Sequence, residues 1–304
     1  MAKRDVRIVE VGPRDGLQNE ATPIPTALKL GLIKALASAG LAEIEATSFV
    51  SPKWVPQLGD AAELWQQLPP GPAYWALVPN VRGLERALAV GVDGITLFTA
   101  ASEAFTHRNI NMTIQESLDV FSEVIGRFRA TVRHGRIRAY ISTAFECPYS
   151  GPIEPDAVVG VATGLLELGV EELSLGDTIG VAAPPEVAAL TLAVLKVVGA
   201  EKLAYHFHDT RGTALANVAT ALAFGIRTFD SSAGGLGGCP YAPGAGGNLA
   251  TEDLVYLLER SGYRTGVNQE RLALATLPVL SALGRPPAAK AQIALLAGLP
   301  ADDA

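Results

Sequence analysis

Along the chain, short runs rich in aliphatic and β-branched residues alternate with longer runs whose apolar positions recur every three or four residues. The first pattern suits a strand covered on both faces and the second an amphipathic helix. It predicts strands at 6–11, 44–49, 74–78, 94–98, 138–143, 172–175, 203–207 and 228–232. Helices are predicted at 25–39, 60–67, 81–90, 114–132, 155–168, 184–198, 215–224 and 251–260. In the first helix Leu28, Leu32, Ala35 and Leu36 share one face, and Gly91, Gly169 and Gly225 stand where helices would end.

Strict alternation implies parallel strands joined by crossover helices. Eight such units match a closed (β/α)8 TIM barrel, which takes about 250 residues. An open doubly wound sheet is the rival. It calls for a Gly-x-Gly-x-x-Gly turn after the first strand, where this chain has Gly12-Pro13-Arg14-Asp15-Gly16. Two further apolar helical stretches, 269–283 and 288–296, follow the last unit. The expected organisation is a single catalytic domain over residues 1–304, with the barrel at about 5–262 and a C-terminal helical extension at about 263–304.

Composition narrows the classes. Of 304 residues, 49% are hydrophobic and 18% charged, enough for a large core. The net charge is −7 with no Lys/Arg cluster, so a nucleic-acid partner is not expected. Two cysteines, Cys147 and Cys239, are too few for a disulfide framework and suit a reducing compartment. The start of the chain shows no signal-peptide pattern, and no stretch approaches the ~20 apolar residues of a membrane span. A cytoplasmic location without a membrane partner is the expectation.

In such a barrel, reactive groups collect where strands end. Arg14, Asp15, Gln18 and Asn19 follow the first strand; Glu45, Thr47 and Ser48 lie in the second; Ser174 and Asp177 end the sixth. His206, His208 and Asp209 close the seventh, and a stretch containing Cys239 and several glycines follows the eighth. His206 and His208 are two apart, so their side chains share a face about 6.5 Å apart. Two imidazoles there can close on one ion. Asp15 adds an anionic donor and Asn248 a neutral oxygen, a set that suits Mn2+, Fe2+, Co2+, Zn2+ or Mg2+. Taken alone, Asp15 is also explained as a turn residue and Cys239 as a small buried hydrophobe in a connector. Cys147 reads as pocket lining.

Five segments carry a resemblance. They are Val9-Glu10-Val11-Gly12-Pro13-Arg14-Asp15-Gly16-Leu17-Gln18-Asn19-Glu20, the run 47–57, Leu175-Gly176-Asp177-Thr178-Ile179-Gly180, His206-Phe207-His208-Asp209-Thr210 and the run 234–253. In this order, from about residue 6 to 260, the chain resembles the 3-hydroxy-3-methylglutaryl-CoA lyases, metal-dependent enzymes of the TIM-barrel lyase and aldolase superfamily. The resemblance implies cleavage of 3-hydroxy-3-methylglutaryl-CoA to acetyl-CoA and acetoacetate, a step of leucine catabolism. Asp15, His206, His208 and Asn248 become ligands of a divalent cation, Mg2+ or Mn2+. Arg14 becomes the cation that steadies the enolate, Cys239 the catalytic thiol, and Glu45 and Asp177 active-site carboxylates. Glu252 stands behind the ligands. Asp177 or His206 is the candidate base, and Asp177 is favoured because a metal-bound imidazole is a poor one. Gln18, Ser48 and Ser174 are expected to meet the acyl-CoA substrate, and the chain to form a homodimer or higher homo-oligomer.

The sequence departs from the pattern at Arg211, Glu146, Ser150 and Ala21, near strand mouths and away from the ligands. These departures bear on the acyl portion and keep a lyase for a related 3-hydroxy-acyl-CoA, or an aldolase on a 2-keto acid, in view. A metal-binding barrel without turnover would need neither Arg14 nor Cys239.

Overall fold

A computed structural model of the chain describes residues 4–238 and 246–298. Eight parallel strands form the barrel: β1 (Arg7–Glu10), β2 (Glu43–Ser48), β3 (Ala73–Leu77), β4 (Gly94–Ala100), β5 (Arg136–Ser142), β6 (Glu172–Asp177), β7 (Leu203–Phe207) and β8 (Thr228–Ser231). Each pairs with its successor, and β8 pairs with β1 to close the ring. This is the (β/α)8 barrel that the alternation implied. Strand β2 carries a register shift between Glu45 and Thr47, a bulge that re-aims the end of the strand.

The helices are α1 (Thr26–Ser38), α2 (Ala61–Gln66), α3 (Val81–Leu88), α4 (Glu103–Ile110), α5 (Ile114–Thr131), α6 (Pro155–Glu167), α7 (Pro184–Val194), α8 (Ala214–Ala223) and α9 (Thr251–Arg260). Of these, α4 escapes the periodicity because its sequence is polar on most sides. Capping defines it instead: Ser102 accepts from the Phe105 amide, and Asn111 ends it at a φ of 54°. The single helix expected at 269–283 is two, α10 (Gln269–Ala275) and α11 (Leu277–Ala282), because Pro278 cannot donate into a continuous ladder. A last helix, α12 (Lys290–Leu296), docks on α9 and α10. The fully buried Gln292 ties it down, donating to Ala273 O and Thr276 Oγ1 at 2.8 Å each. Among the described residues no helix is long and apolar enough to cross a membrane.

Alternation along the strands sorts two cores. In β5, Ile137, Ala139 and Ile141 face the helices and join the main hydrophobic cluster. Arg138 and Tyr140, between them, point into the barrel. Arg138 reaches Asp230 of the non-adjacent β8 at 2.8 Å, which is possible only across the lumen. Aliphatic residues usually fill this space. Here the lumen cluster of Val9, Val11 and Trp75 is small, and charged and hydroxylic side chains occupy much of the rest.

Candidate metal centre and active site

The loop after β1 begins with one wide helical turn, Gly12–Gly16. Amides of Arg14, Asp15 and Gly16 all converge on the Val11 carbonyl, at 3.1, 2.7 and 3.2 Å. Such wide turns are uncommon and recur at functional sites. This one sends Arg14 over the lumen and turns Asp15 towards β7. At the end of β7 the chain from Gly246 returns alongside. His208 forms an isolated antiparallel bridge with Asn248, and Asp209 N donates to Gly247 O at 2.7 Å. Asn248 is thereby laid beside the two histidines.

One donor atom each from Asp15, His206 and His208 lie within 4.8 Å of one another. His206 Nε2 is 3.9 Å from Asp15 Oδ2, which accepts from Asn248 Nδ2 at 2.9 Å. Burial pushes Asp15 up, but the Arg14 charge, the two imidazoles and the Asn248 amide outweigh it and hold the carboxyl at about 2. Burial, and then the neighbouring His206, push His208 down to about 3, so its ring is neutral at physiological pH and has a lone pair to give. Asn248 Oδ1 and His208 Nδ1 are buried with no hydrogen-bond partner. Buried polar atoms are normally paired. A carboxylate, two imidazoles and an orphaned amide oxygen fit a divalent cation.

Gly237 belongs to this geometry. At φ +99° it lies in a region that favours glycine, and a Cβ there would sit 2.7 Å from Asn248 Nδ2 and 3.2 Å from Gly16 Cα. Glycine is what lets the loop after β8 lie against Asn248. Cys239 falls just beyond, outside the described residues, as do 240–245.

Behind these residues runs a buried ionic network. Arg14 gives Nε and Nη2 to Glu45 Oε2, at 2.7 and 2.6 Å, and Nη1 to Asp15 Oδ1 at 2.6 Å. Glu45 also accepts from Thr96 at 2.5 Å and Tyr140 at 3.0 Å. It therefore serves as the brace of Arg14, and the guanidinium keeps its charge because burial is outweighed by Glu45 and Asp15. Two further carboxylates hold the start of the loop after β8. Glu10 accepts from the amides of Gly12 and Ala233 at 2.8 and 2.9 Å and from Thr251 at 2.6 Å. Glu252 takes the Gly234 amide on both oxygens, at 2.9 and 2.8 Å. Burial raises them to about 7 and about 8 respectively.

Other expected residues sit differently. Ser48 is fully buried, with its hydroxyl donating to Leu77 O and accepting from Val50 N. Ser174 is equally buried and donates to Asp230 at 2.6 Å. Both hydroxyls expected to meet substrate are spent on the protein itself. Gln18 is half-buried just after the wide turn. Asp177 ends β6, and its two oxygens accept from the amides of Val181 and Ala182 at 2.9 and 3.1 Å, outside the lumen network. Burial raises it to about 6. Arg211 donates to the Ile179 and Gly180 carbonyls and so ties the loops after β6 and β7 together.

Sequence reading passed over Glu10, Thr96, Arg138, Tyr140 and Asp230. For Glu10, Arg138 and Asp230 the signal was present, since charged residues inside strands that should read as continuous apolar runs are out of place unless the fold pairs them.

A family model described as HMGL-like matches residues 5–277. The hydroxymethylglutaryl-CoA lyase of Pseudomonas mevalonii is 50% identical over 294 residues, which is 96% of this chain and 97% of that one. The solved hydroxymethylglutaryl-CoA lyase of Pseudomonas aeruginosa superposes with a TM-score of 0.94 at 48% identity, covering 98% of this chain and 100% of that one. An HMG-CoA lyase of Acinetobacter baumannii, solved with coenzyme A and 3-methylmalate, gives 0.90 at 36% identity over 98% and 96% of the two chains. With the barrel, the mouth and these likenesses in agreement along nearly its whole length, the chain belongs to the HMGL-like family.

Proposed function

We propose that the chain cleaves 3-hydroxy-3-methylglutaryl-CoA to acetoacetate and acetyl-CoA at this mouth, with Mg2+ or Mn2+ held by Asp15, His206, His208 and Asn248. The observation that carries the reading is the meeting of this donor set with a buried, permanently charged Arg14 in contact with Asp15. The names of the half-identical relatives support the reaction, and the coenzyme A complex of the Acinetobacter relative supports an acyl-CoA substrate.

When bound, the divalent ion supplies positive charge that acidifies the substrate's hydroxyl and steadies its carboxylate. Asp177, with its proton affinity raised to about 6, takes the hydroxyl proton, and the bond between C2 and C3 breaks. The C3 fragment leaves as the ketone acetoacetate, and the bonding pair goes to C2 as the enolate of acetyl-CoA. Arg14 steadies that oxyanion with a fixed fork braced by Glu45, a type of stabilisation worth about 3–4 kcal/mol per donor. Cys239 returns a proton to C2, and the proton on Asp177 restores the thiol through solvent.

The test is acetoacetate release from the substrate by metal-stripped protein, with and without Mg2+ or Mn2+. Metal-dependent turnover of about 1 s⁻¹ or more is expected. The rate should fall below a pH of about 6 as Asp177 gains its proton. Absence of release with the ion demonstrably bound would reject this substrate, and a profile without that acid limb would remove Asp177 as the base.

A further inference from the structure

The two histidines of the centre are not equivalent. Nδ1 of both rings is buried without a hydrogen bond in this geometry. What separates them is that His206 Nδ1 faces the Asp230 Oδ2 carboxylate oxygen at 3.5 Å, while its Nε2 looks towards Asp15. His206 and Asp230 are register partners on β7 and β8, so the backbone sets this pairing. Asp230 is itself held from two other strands. Arg138 of β5 donates to Oδ1 at 2.8 Å, and Ser174 of β6 donates to Oδ2 at 2.6 Å. Tyr140 stands edge-on to the imidazole, with centroids 5.9 Å apart and planes at 80°. Four strands therefore fix one carboxylate and the ring beside it.

We propose that Asp230 is a positioning residue that sets the tautomer of His206. An ionised carboxylate only accepts, and a neutral imidazole carries one N–H. The proton therefore belongs on Nδ1, against Asp230, and the lone pair on Nε2, towards Asp15 and the ligand site. Outer carboxylates of this kind commonly orient histidine ligands, and their loss costs 10–100-fold in metal affinity. The inference rests on the metal-centre reading above. Ser174, expected at the substrate, becomes the residue that orients Asp230.

Asp230→Asn tests this sharply. Arg138 demands an acceptor, so the Asn oxygen turns to it and the Asn amide nitrogen takes the place of Oδ2. That nitrogen donates to Nδ1 and moves the ring proton to Nε2, which then cannot ligate. Two measurements are made: the His206 tautomer by ¹⁵N–¹H correlation on metal-free protein at about pH 9, where imidazoles are neutral, and Mn2+ affinity by calorimetry. The expected results are Nδ1–H in the parent, Nε2–H in Asp230→Asn, and Mn2+ affinity lower by about 10–100-fold. Ser174→Ala leaves the charge pair intact and should keep the parent tautomer. An Nε2–H ring in the parent overturns the proposal even if Asp230→Asn fails to fold. So does an unchanged Mn2+ affinity in a folded Asp230→Asn. A parent that binds no Mn2+ while holding the Nδ1–H tautomer would instead sink the metal-centre reading.

Discussion

The two mouths of the barrel both carry buried or half-buried charge, and they handle it in opposite ways. Where the strands begin, charge meets charge. Arg7 pairs with Glu43 at 3.0 Å and with Glu172, Arg138 Nε lies 3.0 Å from Glu172 Oε1, and Arg136 stacks its guanidinium 4.5 Å from the Trp75 ring. Where the strands end, Asp15, His206, His208 and Asn248 converge with orphaned atoms among them, and a carboxylate nearby is pushed up to about 6. A cavity of about 860 Å³ opens at the lower mouth, lined by Arg7, Glu43, Trp75 and Arg136. That cavity lies at the opposite end of the barrel from the candidate metal centre. Charges at the lower mouth lie against opposite charges of the barrel itself, whereas at the upper one the uncharged Asn248 Oδ1 and His208 Nδ1 are buried with no hydrogen-bond partner. The difference teaches that ion pairs at one mouth serve the fold, while neutral donors left unanswered at the other mark the candidate site.

Breaking the upper mouth should be felt in chemistry before stability. His208→Ala removes a donor that the fold does not use for bonding. Activity should drop on the order of 10³-fold, with metal affinity lost in calorimetry and the metal-free melting temperature nearly unchanged. A variant that melts much earlier would show that the ring is structural. Arg14→Gln should lower kcat by about 10²–10³-fold while Mn2+ still binds, since in the proposed mechanism the guanidinium acts on the enolate and not on the ion. Parallel loss of both would merge the two roles.

Glu252 sharpens the comparison through pH. Its carboxyl is raised from 4.5 to about 8 by burial, so the folded state holds a proton that the unfolded state releases. Its contribution to stability is therefore complete below about 4.5 and lost as pH rises through about 8. Against the metal-free parent, Glu252→Gln should gain melting temperature steadily from pH 5 to pH 9. A difference that stays flat would place the proton elsewhere. The smallest effect is expected at the lower mouth. Arg7→Gln, at a side chain 38% exposed, should cost about 1 kcal/mol or less in urea unfolding and leave kcat unchanged. A marked loss of activity from that end would break the division between the mouths.

The candidate ligands Asp15, His206, His208 and Asn248 stand out in the sequence because polar residues at strand ends are out of character for a core, and the fold brings donor atoms of the first three within 4.8 Å of one another. Glu45 and Glu252 were legible as carboxylates of the site, but not what they do. Glu45 becomes a brace only when β1, β4 and β5 bring Arg14, Thr96 and Tyr140 to it. Ser48 and Ser174 show the same limit in reverse, since a serine at a strand end looks available until its partner on another strand is known.

By itself the sequence determined the period of most elements, though not α4 or the break between α10 and α11, and with it the eight-fold alternation, the parallel barrel and the strand ends where the candidate donors gather. Those features depend on neighbours in the chain, which sequence states directly. Only the tertiary structure decided which buried groups meet: Arg138 with Asp230 across the lumen, Asp230 with His206 on the neighbouring strand, and Glu10 with the Ala233 amide. Those pairs join residues up to 223 positions apart. They form because closing the barrel buries the charges together, and a buried charge without a partner costs more than the fold can bear.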